Sequence, residues 1–207
     1  MTLIGLLSDV HATPEPVAQA LEIFERAGVD QVFCAGDIAG YRDGLRETVD
    51  LLVQSGSISI LGNHDLGYLQ ANAEDGDASA LEYFSTLPAY FEQTIEGQHV
   101  YMVHAEPPAA CHGGIKLRDR TGAVQPDRVM HWEGELSGFK PDVLIVGHTH
   151  QVYAEQVGDT LVVNPGSSAF NYSCAILSLP SMAVETYPLV GQPIAPVWNW
   201  SDHFGKS

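Results

Sequence analysis

Positive charge is the scarcest commodity in this sequence. Nine Lys and Arg stand against 26 Asp and Glu, a formal net charge of -17 over 207 residues. A surface this anionic repels nucleic-acid backbones and anionic membranes, and it gives no general steering toward phosphates. An anionic ligand must therefore be attracted locally, and bound metal cations are the obvious means. Long apolar runs are missing too: none approaches the roughly 18 residues that a membrane span needs. The first apolar run starts at about Leu3 and leads directly into polar residues argued below to be ligands. No cleaved signal peptide is expected, and the expected location is cytoplasmic. Cysteine is sparse, and Cys34, Cys111 and Cys174 show no C-x-x-C spacing, so none is assigned to metal. Cys34 and Cys174 sit in apolar runs and read as reduced core thiols, whereas Cys111 falls in a loop.

With 45% hydrophobic residues, the chain can fill the core of one α/β domain. The expected division is a single domain over 1–207, with its core in 3–187 and a Pro- and Trp-containing tail at 188–207.

The informative pattern is a short apolar run that stops abruptly in Gly, His, Asp or Asn, and recurs. Leu3 to Leu7 precedes Ser8-Asp9-Val10-His11, Gln31 to Ala35 precedes Gly36-Asp37, and Ser57 to Leu61 precedes Gly62-Asn63-His64-Asp65. Further along, His99 to Val103 precedes His104, Val143 to Val146 precedes Gly147-His148-Thr149-His150, and Leu161 to Val163 precedes Asn164-Pro165-Gly166-Ser167. Val17, Leu21 and Phe24 mark a helix, with Thr13 expected as N-cap, Pro14 at its first position and Gly28 as its stop. Leu45, Val49, Leu52 and Val53 mark a second helix, closed by Gly56. This βαβαβ opening implies parallel strands with helices on the faces, and ligands gather at the carboxyl ends of such strands.

Beyond it, Leu81 to Thr86 reads as helical, and Tyr90 to Ile95 as the first arm of a hairpin turning at Glu96-Gly97. Residues 105–125 read as a long loop over the site, carrying Lys116, Arg118 and Arg120. Pro126 to Ser137 resembles a helix, and two strands follow at about Cys174 to Leu179 and Met182 to Tyr187. Trp198 and Trp200 in the tail could seal a homo-oligomer or cover the chain's own core.

Asp9 and His11 are two apart in an extended segment, so both can face one cation, as can His148 and His150. Asp37 offers two oxygens after a strand end. Adjacent residues diverge, so Asn63 can present its carbonyl oxygen to a metal while His64 faces a substrate, with Asp65 expected to orient the His64 ring and keep it protonated. Five of nine histidines stand just beyond apolar runs. Asp9, His11, Asp37, Asn63, His104, His148 and His150 are too many donors for one four-coordinate zinc and suit two open-coordination ions. The mixed N and O set without thiolate fits Mn, Fe, Zn or Ni.

These motifs, in this order and spacing, resemble the calcineurin-like metallophosphoesterases over roughly residues 3–170. The likeness is nearest to their small single-domain bacterial and archaeal phosphodiesterases, which share forms of Gly36-Asp37-Ile38-Ala39-Gly40-Tyr41 and Asn164-Pro165-Gly166-Ser167. The resemblance implies a four-layer α/β/β/α sandwich, one metal on Asp9, His11, Asp37 and His150, and a second on Asp37, Asn63, His104 and His148. It also implies that His64 faces the phosphate rather than a metal. This chain departs from the pattern after Tyr41, where it has Arg42-Asp43-Gly44, and Leu66 to Gln70 lacks the arginines of the protein phosphatases.

The expected activity is hydrolysis of a small-molecule or cyclic-nucleotide phosphodiester by a metal-bridging hydroxide, with His64 and Asp65 as catalytic residues. Tyr41, Arg42 and Arg118 are candidate substrate contacts. A phosphomonoesterase on the same site and a non-catalytic scaffold of the same fold are the alternatives. A duplex nuclease is disfavoured by the charge.

Overall fold

The computed structural model describes residues 1–73 and 76–199. The opening unit is β1 (Thr2–Leu7), α1 (Pro14–Ala27), β2 (Gln31–Cys34), α2 (Leu45–Gln54) and β3 (Ile58–Ser59). β1 pairs with β2, and β2 with β3, in parallel. Pro14 supplies the pre-set φ of a first helical turn, and Gly28 ends α1 at φ +71°, a conformation open to glycine at little cost. Thr13 holds the N-cap position but does not cap: its hydroxyl donates to the His11 carbonyl at 3.2 Å.

Next come α3 (Asn63–Ala71) and α4 (Ala78–Thr86), then β4 (Tyr90–Ile95) and β5 (Gln98–Val103), which form the expected antiparallel hairpin. α5 (Pro126–Glu135), β6 (Val143–Ile145), β7 (Val152–Val157), β8 (Thr160–Pro165), β9 (Ser173–Leu179) and β10 (Ala183–Pro188) complete the order. Two five-stranded sheets result, β10-β9-β1-β2-β3 and β4-β5-β6-β8-β7.

The period of two along each strand sorts the core into three layers of side chains. Ile4, Leu6, Phe33 and Ala35 of the first sheet pack against Val100, Met102, Val143, Ile145 and Val163 of the second. On the outer face of the first sheet, Leu7 and Cys34 meet Val17 and Phe24 of α1 and Val49 and Leu52 of α2. On the outer face of the second, Tyr101, Val103, Leu144 and Val162 meet Leu136, with Val129 and Trp132 of α5 against them. The architecture is therefore helices, sheet, sheet, helices. Each large apolar side chain so buried contributes about 1.5–3 kcal/mol.

The 105–125 segment is a folded loop, with Ile115 and Leu117 buried and bridges between Glu106 and Ala110 and between Arg118 and Val124. Cys34 and Cys174 are buried thiols, pushed up to about 12 by burial. No helix among the described residues is long and apolar enough to cross a membrane. Trp198 lies against its own chain, stacked on Phe170 at 5.1 Å; Trp200 is outside the described residues.

Candidate metal centre

Because β1, β2 and β3 run parallel in one sheet and β5 and β6 run parallel in the other, their carboxyl ends share an edge. Asp9 and His11 follow β1, Asp37 follows β2, Asn63 follows β3, His104 follows β5, and His148 and His150 follow β6. Both sheets thus contribute donors to one place. Asp9, His11, Asp37, His104 and His150 are buried.

Two groups of donor atoms form, Asp9 with His11 and His150, and Asp37 with His104 and His148, each with all its atoms within 4.8 Å of one another. A third such group joins His11, Asp37 and His64. His150 Nε2 stands 3.3 Å from Asp9 Oδ1 and 3.2 Å from His11 Nε2. His104 Nε2 is 3.4 Å from Asp37 Oδ2.

Second contacts set which ring nitrogen is available. His104 Nδ1 lies 2.7 Å from the Ala35 carbonyl and His11 Nδ1 3.3 Å from the Ala39 carbonyl. A carbonyl only accepts, so both Nδ1 atoms carry hydrogen and both Nε2 atoms face the cluster. Asn63 Oδ1 meets His148 Nδ1 at 2.9 Å and His104 Nε2 at 3.2 Å. With its amide rotated, Asn63 would instead donate to His148 Nδ1 and Asp37 and present its oxygen to the His64 N–H; either way its amide sits among the ring nitrogens of His104 and His148. This donor chemistry fits a divalent metal.

The backbone is held in an unusual state to achieve this. Asp9, His11, Asp37, His148 and His150 all have positive φ, between 46° and 62°. Non-glycine residues rarely adopt that region, and its cost of order 1–3 kcal/mol per residue persists only where surroundings enforce it. Five of the seven candidate ligands share it. The enforcement is visible. The His148 N–H donates to both Asp9 carboxylate oxygens, at 3.1 and 2.9 Å, and Ser8 Oγ donates to Asp9 Oδ2 at 2.6 Å. Asn164 Nδ2 donates to the Gly147 carbonyl at 2.9 Å, and Ser167 Oγ to the Asp9 carbonyl.

Residues 2–181 match the family model for the calcineurin-like phosphoesterase superfamily domain. The chain belongs to that superfamily. Among its relatives is the uncharacterized protein MJ0912 of Methanocaldococcus jannaschii, 26% identical over 181 residues, a match covering 80% of this chain and 69% of that protein. The fold is shared with the hypothetical protein PH1004 from Pyrococcus horikoshii OT3, at TM-score 0.70 and 18% identity over 94% of this chain and 89% of that one. It is also shared with a structure described as a novel archaeal phosphodiesterase, at TM-score 0.61 and 20% identity over 91% of this chain and all of that one.

Within this candidate centre the expected role of Asp65 is corrected. Its Oδ1 accepts from the Ala39 N–H at 2.7 Å and its Oδ2 from the Gly62 N–H at 2.8 Å. Asp65 is the third residue of α3 and reaches back to the N–H of the N-cap residue Gly62, so both oxygens are committed to backbone and it ties the Asp37 loop to the Gly62 turn. The His64 ring is instead met by Tyr41, whose hydroxyl is 2.8 Å from Nε2. Nothing in the sequence signalled this pair, which is 23 residues apart. The His64 N–H donates to Asp37 Oδ1 at 2.8 Å. Arg42 is exposed. Arg118 is tied to its own loop and to β7, donating to the Gly122 and Val152 carbonyls at 2.7 and 2.8 Å and pairing with Glu155 at 3.4 Å.

Two glycines are required by close approach. A Cβ at Gly62 would fall 2.1 Å from Asp37 Oδ1, and one at Gly147 would fall 1.9 Å from Ser8 Oγ. Gly62→Ala is therefore expected to displace the Asp37 carboxylate and cut both metal content and turnover by about tenfold or more. Metal analysis beside kinetics checks this, and full metal occupancy in the variant would contradict it.

The donors also differ in how ready they are to ligate. Burial pushes the His11 and His148 imidazoles down to about 4, so both are free bases at neutral pH. Burial alone would lower His104 as well, but the adjacent Asp37 carboxylate overrides it and holds the imidazole up at about 9. In the metal-free protein the His104–Asp37 pair thus adds stability fully below the ordinary value of 6.5, and that stability is lost as pH rises through about 9. A metal held by His104 would have to displace this proton. Uptake at neutral pH is expected to release about one proton, and affinity to rise with pH until His104 is neutral. Titration calorimetry in buffers of differing ionisation enthalpy measures the release; pH-independent affinity would contradict it.

Proposed function

We propose that the chain hydrolyses small-molecule or cyclic-nucleotide phosphodiesters at a centre of two divalent metal ions. Asp9, His11, Asp37 and His150 would hold one ion, and Asp37, Asn63, His104 and His148 the other. The observation that carries this reading is the position of Asp37, whose carboxylate belongs both to the group with His104 and His148 and to a group with His11 and His64, while His11 is itself shared with the group of Asp9 and His150. Bound divalent ions supply the nucleophile at neutral pH and offset the charge on the phosphoryl oxygens.

The chain's own residues do the remainder. His64 stands beside the Asp37 carboxylate, with its Nε2 2.8 Å from Tyr41 Oη, and delivers a proton to the leaving oxygen. Tyr41 orients that ring. Asp65 keeps the Asp37 loop and the start of α3 in register. The likeness to a structure described as a phosphodiesterase supports a diester over a monoester, and the donor set suits Mn, Fe, Zn or Ni.

The test is turnover of bis(p-nitrophenyl) phosphate, p-nitrophenyl phosphate and cyclic nucleotides after reconstitution with each of these metals. Diester cleavage exceeding monoester cleavage is expected. Preference for the monoester would reassign the activity as a phosphatase, and inactivity on every ester with every metal would overturn the reading.

A further inference from the structure

A cavity of about 540 Å³ adjoins the centre, and its inner wall is His148, Thr149 and His150. Lys116, Arg118, Arg120 and Arg128 line the rest. The whole chain has nine Lys and Arg, and four of them line one hollow of a protein whose net charge is -17. Arg118 is paired with Glu155 at 3.4 Å and shapes the wall, which leaves Lys116 and Arg128 as the cations that matter for an anion. Among the described residues Asp119 is the one acid in the lining, and its carboxylate is turned into its own loop, accepting from Thr121, Ala123 and Gln125. Arg128 comes from α5 and is brought to the loop by its bond to the Arg118 carbonyl.

Charge placed this way is not explained by solubility, which the acidic surface already provides. Nor is it needed to bind one phosphoryl group, which metals neutralise directly. The volume is in the range that accepts a nucleotide-sized group. Trp198 also lines the cavity, and its ring stacks through Phe170 on His150, giving a firm aromatic wall.

We propose that this cavity binds a second phosphate of the substrate, so that the natural ester is a polyanion bearing at least one phosphate besides the one cleaved. The inference rests on the phosphodiesterase reading above and names its substrate class. The unfavourable overall field then excludes most anions, while the basic hollow beside the metals selects those with two phosphate groups correctly spaced.

The test uses the metal-loaded full chain and two esters that differ by one group: the p-nitrophenyl ester of thymidine 5′-phosphate, and the same ester with a 3′-phosphate. The second is expected to have a kcat/KM about tenfold or more higher, as charge-assisted contacts would give. That ratio should fall toward one in K116Q/R128Q, and also as salt is raised. Cleavage of both esters by the wild type without preference, or a preference that survives in the double variant, would overturn the inference and leave the phosphodiesterase reading intact. An equal loss on both esters in the variant would also overturn it, placing the basic residues on the scissile phosphate or in the loop's own structure. Cleavage of neither ester with any metal would remove the phosphodiesterase reading, and the inference with it.

Discussion

Asp37→Ala is expected to lower phosphodiester turnover by more than about 10³-fold and to leave the protein with less than its full complement of metal. The carboxylate belongs to both proposed ligand sets and accepts the His64 N–H at 2.8 Å, so its removal would disturb both proposed ions and the proposed catalytic histidine together. The chelated protein should suffer as well. Without Asp37, the fully buried His104 loses the partner that sustains its charge and burial lowers its pKa, so at neutral pH it becomes neutral and the stabilisation the pair gave is lost. Metal content, turnover and thermal unfolding after chelation measure the three effects separately. Wild-type metal stoichiometry in the variant would overturn the proposed bridging role of Asp37.

His64→Ala is expected to reduce kcat by about 10² to 10⁴ while metal content stays unchanged. The loss should be greatest for a diester with an alkoxide leaving group and smallest for p-nitrophenolate, which departs without a proton. Tyr41→Phe, which removes the 2.8 Å contact to Nε2, should show the same leaving-group dependence at about tenfold smaller size. Since His64 also falls in a possible ligand group with His11 and Asp37, loss of metal on substitution would make it a ligand. An equal loss on both leaving groups would end its role as proton donor.

Much of the molecule was readable before any coordinates because its strongest signals are local. Apolar runs ending in polar residues place Asp9, Asp37 and His104 at strand ends, and the periodicity of Val17, Leu21 and Phe24 with Gly28 defines α1. Elements whose residues serve two purposes were hidden. α3 (Asn63–Ala71) begins on the donor Asn63 and contains Gly67, so no clear helix pattern shows there in the sequence. β7 (Val152–Val157) carries Glu155 and Gln156 and breaks the apolar pattern, which is tolerable only because it is the edge strand of its sheet. Asp65 could not be assigned from adjacency alone, because the N–H groups that claim it come from Ala39 and Gly62. The Tyr41–His64 contact and the approach of Arg128 to Lys116 and Arg118 depend on how separate segments pack, which no local pattern encodes.

The donors that meet at the centre belong to strands of both sheets. Any cation they share therefore acts as a reversible clasp between two layers otherwise joined by apolar packing, and an unfolded chain cannot reproduce it. Unfolding then becomes a reaction with metal among its products. Its midpoint would climb with the logarithm of free metal concentration, and the persistence of the fold in a cell would report how much divalent ion that cell can spare.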